Sequence, residues 1–374
     1  MKSDICILAP VHYWDDIRVF KKEAVTLAKS GYNVTVYTRA EKNMIENNVT
    51  IKKIPNYNNR LKRFILQPKL LYLILKERAK VIHLHNPDTL LIGFILKLLG
   101  KKVVYDTHED FTKRILIRKW IPVPLRKSLA RFVKYLELIA SKLFDATFVT
   151  QRDILKRMGN KAQLIENAPI TEGNIVDEAY HISNDIEERP DTFRSIYIGA
   201  ISENRGLIEV IKSIKKLNCS GVKSRLWLAG KCYKDSFMKE LEGIDGWEYV
   251  DYLGTLKQEE AFAYVIKSDV GFITIYDVGD HSKTSPNKIF EYMRFSIPFI
   301  ASNFNNWKER LDSLNAGLFV DPTSTEEILS ALKWLYNNKD QRIIMGQNGK
   351  EYVLRQYNWE KESEKLLKVY RELI

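Results

Sequence analysis

Short runs of aliphatic and β-branched residues alternate with helix-period patterns from one end of the chain to the other. In the first half the runs at 5–9, 34–37, 49–54, 81–85, 103–106, 147–150 and 163–166 read as strands. Amphipathic patterns at 17–29, 61–78, 89–99, 125–143 and 152–158 read as helices between them. Strand–helix alternation of this kind predicts a parallel, doubly wound sheet. The pattern pauses at 171–193, a polar and acidic stretch with Ser183-Asn184-Asp185 and Glu187-Glu188-Arg189-Pro190, which reads as a linker or surface loop. It then restarts, with strands at 195–198, 225–229, 249–253, 270–275, 299–301 and 317–320. The intervening helices are 207–217, 235–241, 259–267 and 287–294. The end, 326–337 and 340–374, is nearly all helical.

The expectation is therefore an α/β protein with two Rossmann-like doubly wound domains facing a central cleft. Residues 1–170 form the first domain, 171–193 the linker and 194–355 the second. A terminal helix over 356–374 returns to the first domain. A length of 374 residues suits two cores better than one. Ligands of open parallel sheets sit outside the carboxyl ends of the strands, so the residues just after strands are the first candidates for chemistry.

Charge divides the chain in the same place. Residues 1–170 hold 32 basic and 15 acidic side chains, a net +17, and the remainder hold 27 and 32, a net −5. Most of the excess lies in two stretches. The first, 59–80, carries Arg60, Lys62, Arg63, Lys69, Lys76, Arg78 and Lys80 among Phe64, Leu66, Leu70, Leu71 and Tyr72. The second, 111–142, carries Lys113, Arg114, Arg118, Lys119, Arg126, Lys127, Arg131, Lys134 and Lys142 against one acid, Glu137. Basic helices with apolar faces bind anionic membrane surfaces; a solvated face over an ordinary core fits the same residues. Nucleic acid is the other usual partner of such charge, but no nucleic-acid motif is present. No stretch reaches the roughly 18 apolar residues of a membrane span. Three scattered cysteines, Cys6, Cys219 and Cys232, fit a reducing compartment without a disulfide frame. With no secretion-signal pattern at the start, the expected location is the cytoplasm, peripheral to the inner face of the membrane.

Five strand-end motifs carry candidate chemistry. In Ser285-Pro286-Asn287-Lys288-Ile289-Phe290-Glu291 a helix start supplies unpaired N–H groups for an anion, Lys288 adds charge, and Glu291 lies one turn on, where a carboxylate accepts hydrogen bonds from a diol. A capped surface helix accounts for the same residues. Gly199-Ala200-Ile201-Ser202-Glu203-Asn204-Arg205-Gly206 is a glycine-bearing turn in which the Arg205 guanidinium suits a diphosphate, or is a solvated loop charge. Tyr105-Asp106-Thr107-His108-Glu109 places a histidine between carboxylates. His83 and His85 share one face of a strand, but no third ligand stands at metal spacing, which favours a structural or loop-positioning role. The loop His12-Tyr13-Trp14-Asp15-Asp16 follows the first strand and lacks the G-x-G-x-x-G of a dinucleotide site.

Taken in order, these motifs resemble family 4 of the glycosyltransferases, the retaining GT-B enzymes. The likeness runs over nearly the whole chain. It includes Asp16-Ile17-Arg18-Val19-Phe20-Lys21-Lys22-Glu23-Ala24, the Tyr105–Glu109 strand end, Arg205-Gly206, the Pro286–Met293 helix and Ala316-Gly317-Leu318-Phe319-Val320-Asp321-Pro322. The resemblance implies roles by position. Arg205 and Lys288 hold the donor diphosphate with backbone N–H groups near Ser285 and Asn287, beside Gly199. Glu291 takes the ribose hydroxyls, and His108 contacts the transferred sugar or its departing phosphate. His12, Asp16 and Glu109 face the acceptor. Many relatives carry E-x7-E, and here Lys283 stands where the first glutamate falls. The implied reaction moves a sugar, with retention, from a nucleoside-diphosphate sugar (UDP-linked by expectation) to a glycan or lipid-linked acceptor in surface polysaccharide synthesis. No cofactor and no metal are expected, because no D-x-D motif is present and Arg205 and Lys288 supply the cationic charge. A nucleotide-sugar epimerase of the same architecture is the competing enzyme reading; it leaves the basic apolar helices unexplained.

Overall fold

The computed structural model describes residues 4–118, 120–187, 190–278 and 281–374. Lys119, Glu188 and Arg189 of the sequence reading lie outside them. The chain divides into two compact units, Met1–Asn167 with Trp359–Ile374, and Ala168–Asn358.

The first unit is built on an eight-stranded sheet: β1 (Ile5–Tyr13), β2 (Val34–Arg39), β3 (Met44–Glu46), β4 (Val49–Lys53), β5 (Val81–His85), β6 (Lys102–Thr107), β7 (Ala146–Val149) and β8 (Ala162–Leu164). Their order is β3-β4-β2-β1-β5-β6-β7-β8. The described pairings are parallel except β3 with β4. Ile5, Ile7, Leu8, Val81, Leu84, Val103 and Val104 are fully buried, as continuous aliphatic strands covered on both faces must be. The order reverses between β1 and β5, which opens a crevice at their carboxyl ends.

The second unit holds a six-stranded parallel sheet of β9 (Phe193–Ile198), β10 (Ser224–Ala229), β11 (Val250–Gly254), β12 (Val270–Ile273), β13 (Phe299–Ser302) and β14 (Gly317–Val320). Its order is β11-β10-β9-β12-β13-β14. This is the Rossmann order, with its reversal between β9 and β12. Both units therefore have the doubly wound architecture the alternation predicts. The C-terminal helix Trp359–Leu373 belongs to the first unit: the Trp359 indole N–H donates to Thr26 Oγ1 at 2.9 Å, and Tyr370 is fully buried.

Two elements differ from expectation. Residues 171–193, read as linker or loop, contain the helix Asn174–Ser183 within the second unit. Its inner face is made of the small or short residues Val176, Ala179 and Ser183, at helical spacing but weakly apolar. Val176 and Ala179 pack with Phe262, Val265 and Phe295 in one buried cluster. The single helix read at 61–78 is instead two helices, Arg60–Ile65 and Gln67–Glu77. Pro68 opens the second, where its missing N–H costs no hydrogen bond.

Candidate active site

The candidate donor residues gather at the β9/β12 reversal of the second unit. β9 ends at Ile198 and the chain turns at Gly199, whose φ is +146°. A Cβ built on the neighbouring Gly230 meets the Gly199 carbonyl oxygen at 1.7 Å, so two strand ends cross as bare backbone here. Gly206 has φ +62°, and a Cβ there meets the Thr274 carbonyl oxygen at 2.2 Å. That turn carries Arg205. The Arg205 Nε is buried without a hydrogen-bond partner among the described residues. Tyr197, pushed up to about 12 by burial, is held back by the Arg205 charge.

Lys288 and Glu291 lie on the helix Asn287–Arg294, whose bounds coincide with the expected ones. Lys288 Nζ donates to Glu291 Oε2 at 2.9 Å, and its Cε lies 3.8 Å from a Cβ built on Gly199. The glycine turn and the helix start therefore share one place. The Asn287 N–H donates to the Ser285 carbonyl at 3.0 Å. Asn287 Oδ1 is buried and without a partner among the described residues. Trp307 Nε1 donates to the Thr284 carbonyl at 2.8 Å and pins the approach to Ser285.

The first unit gathers its candidates at the β1/β5 reversal. His12 is held from both sides, with Nδ1 2.8 Å from Asp16 Oδ2 and Nε2 3.0 Å from Asn86 Oδ1. Burial pulls the His12 pKa down, but the Asp16 carboxylate outweighs it and the net shift is upward. The other Asp16 oxygen caps the next helix, accepting from the Arg18 and Val19 N–H groups at 2.9 Å each. Asp16 thus orients His12 with a carboxylate whose two oxygens are both engaged. The His12 and His108 ring centroids are 5.1 Å apart, and Thr150 Oγ1 donates to the His108 carbonyl at 2.9 Å. Glu109 pairs with Arg114. Asn86 was not among the expected site residues. It adopts φ +72°, unusual for a non-glycine, immediately before Pro87.

Behind this site lies a buried ionic cluster that spacing did not reveal. The helix after β1 begins with a π-helical stretch, Ile17–Ala24, in which the Lys21 N–H reaches back to the Asp16 carbonyl at 3.1 Å. Hydrogen bonds from i to i+5 stack residues five apart, so Arg18 and Glu23 share the inward face. Arg18 Nη2 donates to Asp106 Oδ2 at 2.6 Å and its Nε lies 3.1 Å from Glu23 Oε1. Burial raises and Arg18 lowers the Asp106 pKa, leaving it well below the ordinary range; burial and Asp106 raise Glu23. His83 and His85 complete the cluster.

The two basic stretches each carry an exposed face over a buried one: Leu70 is fully buried in the core of the first unit, with Leu66 and Leu71 packed against it, a correction to their expected place on the membrane-facing side. Along the helix Val123–Leu143, Leu125, Phe132, Tyr135, Ile139 and Leu143 are all exposed at helical spacing, flanked by Lys127, Arg131, Lys134 and Lys142. Glu137, the one acid of that stretch, points inward and is fully buried. Leu61, Phe64 and Ile65 are exposed on Arg60–Ile65, and the Arg60 guanidinium lies 4.1 Å from the Trp120 ring centroid. Among the described residues no helix is long and apolar enough to cross a membrane.

Comparison with known proteins agrees with this architecture. Residues 18–171 match the family model described as Glycosyltransferase Family 4, and residues 180–352 that described as Glycosyl transferases group 1. The capsular polysaccharide biosynthesis glycosyltransferase CapM of Staphylococcus aureus is 22% identical over 82% of this chain and 80% of its own. The match to an uncharacterized glycosyltransferase of Methanocaldococcus jannaschii, 23% identical, covers 50% of this chain but only 47% of that relative's length. Among solved structures, sucrose-phosphate synthase of Thermosynechococcus elongatus superposes with a TM-score of 0.77 at 16% identity, over 99% of this chain and 98% of that one. HepE of Anabaena in complex with UDP-glucose gives 0.71 at 12%, over 98% and 99%. The paired sheets, their reversal points and the two family matches lead to one assignment: the chain belongs to the glycosyl transferases group 1 family of GT-B glycosyltransferases.

Proposed function

We propose that the protein transfers a sugar, with retention of configuration, from a nucleoside-diphosphate sugar to a glycan or lipid-linked acceptor at an anionic membrane surface. The observation that carries the donor half is the meeting of the Gly199 turn with Lys288 and Glu291 at the strand-order reversal of the second unit. Lys288 and Arg205 are the cations for a departing diphosphate, and charge there stabilises the leaving group without a metal. Glu291 is one turn from Lys288 and exchanges that partner for the ribose hydroxyls when donor binds. The structure of HepE with UDP-glucose favours a UDP-linked donor.

On the acceptor side we assign His12, oriented by Asp16 and Asn86, together with Glu109, and His108, whose ring stands beside that of His12, contacts the transferred sugar or its departing phosphate. Same-face attack requires the departing phosphate to accept the proton of the acceptor hydroxyl, so neither histidine need be the base. The capsule-building role in the name of CapM fits a surface polysaccharide product. The exposed apolar stripe of Val123–Leu143 with its basic flanks favours a lipid-linked acceptor over an epimerase, which needs none. A protein so attached is peripheral and cytoplasmic.

The decisive experiment is transfer from radiolabelled UDP-sugars to lipid-linked acceptors in vesicles, with product anomers assigned by NMR. Transfer with retention supports the reading. Epimer formation without acceptor, or turnover unchanged in an Arg205→Ala, Lys288→Ala double variant, overturns it.

A further inference from the structure

Glu23, His83, His85 and Asp106 are each fully buried, and one potential ligand atom from each lies within 4.8 Å of the others. His85 Nε2 is 3.2 Å from Glu23 Oε2, and His83 Nε2 is 3.9 Å from the same oxygen. Both Glu23 oxygens, His83 Nε2 and His85 Nε2 lack a well-formed hydrogen bond among the described residues. Buried polar atoms are rarely left so; Glu23 Oε1 faces Arg18 Nε at 3.1 Å, and the other three converge on one point that a positive centre would satisfy. The rest of the arrangement supports this. His83 Nδ1 is held 2.7 Å from the Tyr370 hydroxyl, so that with its proton there Nε2 turns a lone pair to the cluster. Arg18 contributes one positive charge against two carboxylates.

We propose that Glu23, His83, His85 and Asp106 bind one divalent transition-metal ion of the Zn²⁺ class. Two imidazoles with two carboxylates suit zinc better than magnesium or calcium, which take oxygen ligands. Ligand atoms around tetrahedral zinc stand roughly 3.3 Å apart; the His85–Glu23 and His83–Glu23 separations are 3.2 and 3.9 Å, and the remaining pairs lie within 4.8 Å. Complete burial leaves no open coordination position, so the site is structural and enters no step of sugar transfer. It ties the π-helical stretch to β5 and β6, and through Tyr370 to the C-terminal helix. Asp106 also stands 3.6 Å from His108 Nδ1, which links the ion to the position of that ring. Such an ion binds as the chain folds, since no path from solvent is needed afterwards.

The competing occupant is a proton on Glu23 shared with His85 or Asp106, and metal analysis separates it from an ion. The full chain, with any affinity tag removed, is purified without chelator and its metal content measured by mass spectrometry. About one zinc per chain is expected. Refolding with Co²⁺ should give the visible d–d bands of a tetrahedral nitrogen–oxygen site, and both signals should vanish in Glu23→Gln and His85→Ala. Should those variants fail to fold, the wild type alone decides. Negligible metal as purified, together with no Co²⁺ spectrum after refolding, overturns the proposal whatever the enzyme's activity.

Discussion

Lys288 and Glu291 form an ion pair at 2.9 Å across one turn of a helix that starts at the strand-order reversal of the second unit. The pair is partly exposed, with the side chains at 41% and 16%, so it contributes little to stability. On the proposed donor reading its value is positional: each group keeps the other in place until a ligand competes. The two ends should therefore fail differently. Lys288→Ala should lower kcat about 10²-fold or more, because the missing charge acts on the leaving group. Glu291→Ala should chiefly raise the donor KM, because a diol contact is made in ground and transition states alike. Steady-state kinetics with saturating acceptor separates them.

The apolar stripe on Val123–Leu143 predicts a separable membrane defect. Phe132, Tyr135 and Ile139 are each about half exposed, so replacing all three with Glu should leave the melting temperature nearly unchanged. Sedimentation with phosphatidylglycerol vesicles should fall at least about tenfold, from lost apolar insertion and added charge repulsion. Wild-type binding should weaken in salt. Equal recovery of both proteins with vesicles would remove this face from the membrane reading.

Glu137 predicts a pH effect on stability. Burial pushes its pKa up to about 7, against the pull of Arg157, Tyr105 and Thr107. The folded protein therefore binds a proton that the unfolded chain has released once the pH exceeds the ordinary carboxyl range. Stability falls as pH rises from about 4.5 to about 7, and the loss is then constant above it. Glu137→Gln keeps an oxygen for the Tyr105 and Thr107 hydroxyls, at 2.9 and 3.0 Å in the native protein, and removes the titration. Relative to wild type, the variant should gain about 3 kcal/mol between pH 4.5 and 8 in denaturant titrations.

Long aliphatic runs made the two sheets legible, since strands buried on both faces leave no ambiguity of period. The Asn287–Arg294 helix was readable to its ends because proline precedes it and its apolar face is strong. The helix Asn174–Ser183 was not, because its buried face is Val176, Ala179 and Ser183, too small and polar to stand out. The direction of Glu137 was equally hidden: one acid in a basic stretch looks solvated until Tyr105 and Thr107 are brought to it. His83 and His85 appeared to lack a third ligand because Glu23 and Asp106 reach them through strand order and a π-helical stretch. No fixed spacing encodes either.

Gly206 offers the sharpest test of the donor site that does not touch a charged group. Its φ of +62° costs an L-residue roughly 1 kcal/mol, and a Cβ meets the Thr274 carbonyl oxygen at 2.2 Å, a backbone atom that cannot swing aside. The turn must therefore shift, and Arg205 is the residue next to it. Gly206→Ala should destabilise the protein by about 2 kcal/mol or more. Weaker binding of nucleoside diphosphate, measured by calorimetry well below the unfolding temperature, should accompany that loss. Gly221, at φ +90° with nothing within 4 Å of a Cβ placed on it, is the control. Gly221→Ala meets strain without a clash, so it should cost stability while leaving nucleotide affinity intact. If the two variants weaken the nucleotide equally, the loss comes from global softening, and the Gly206 turn does not position Arg205.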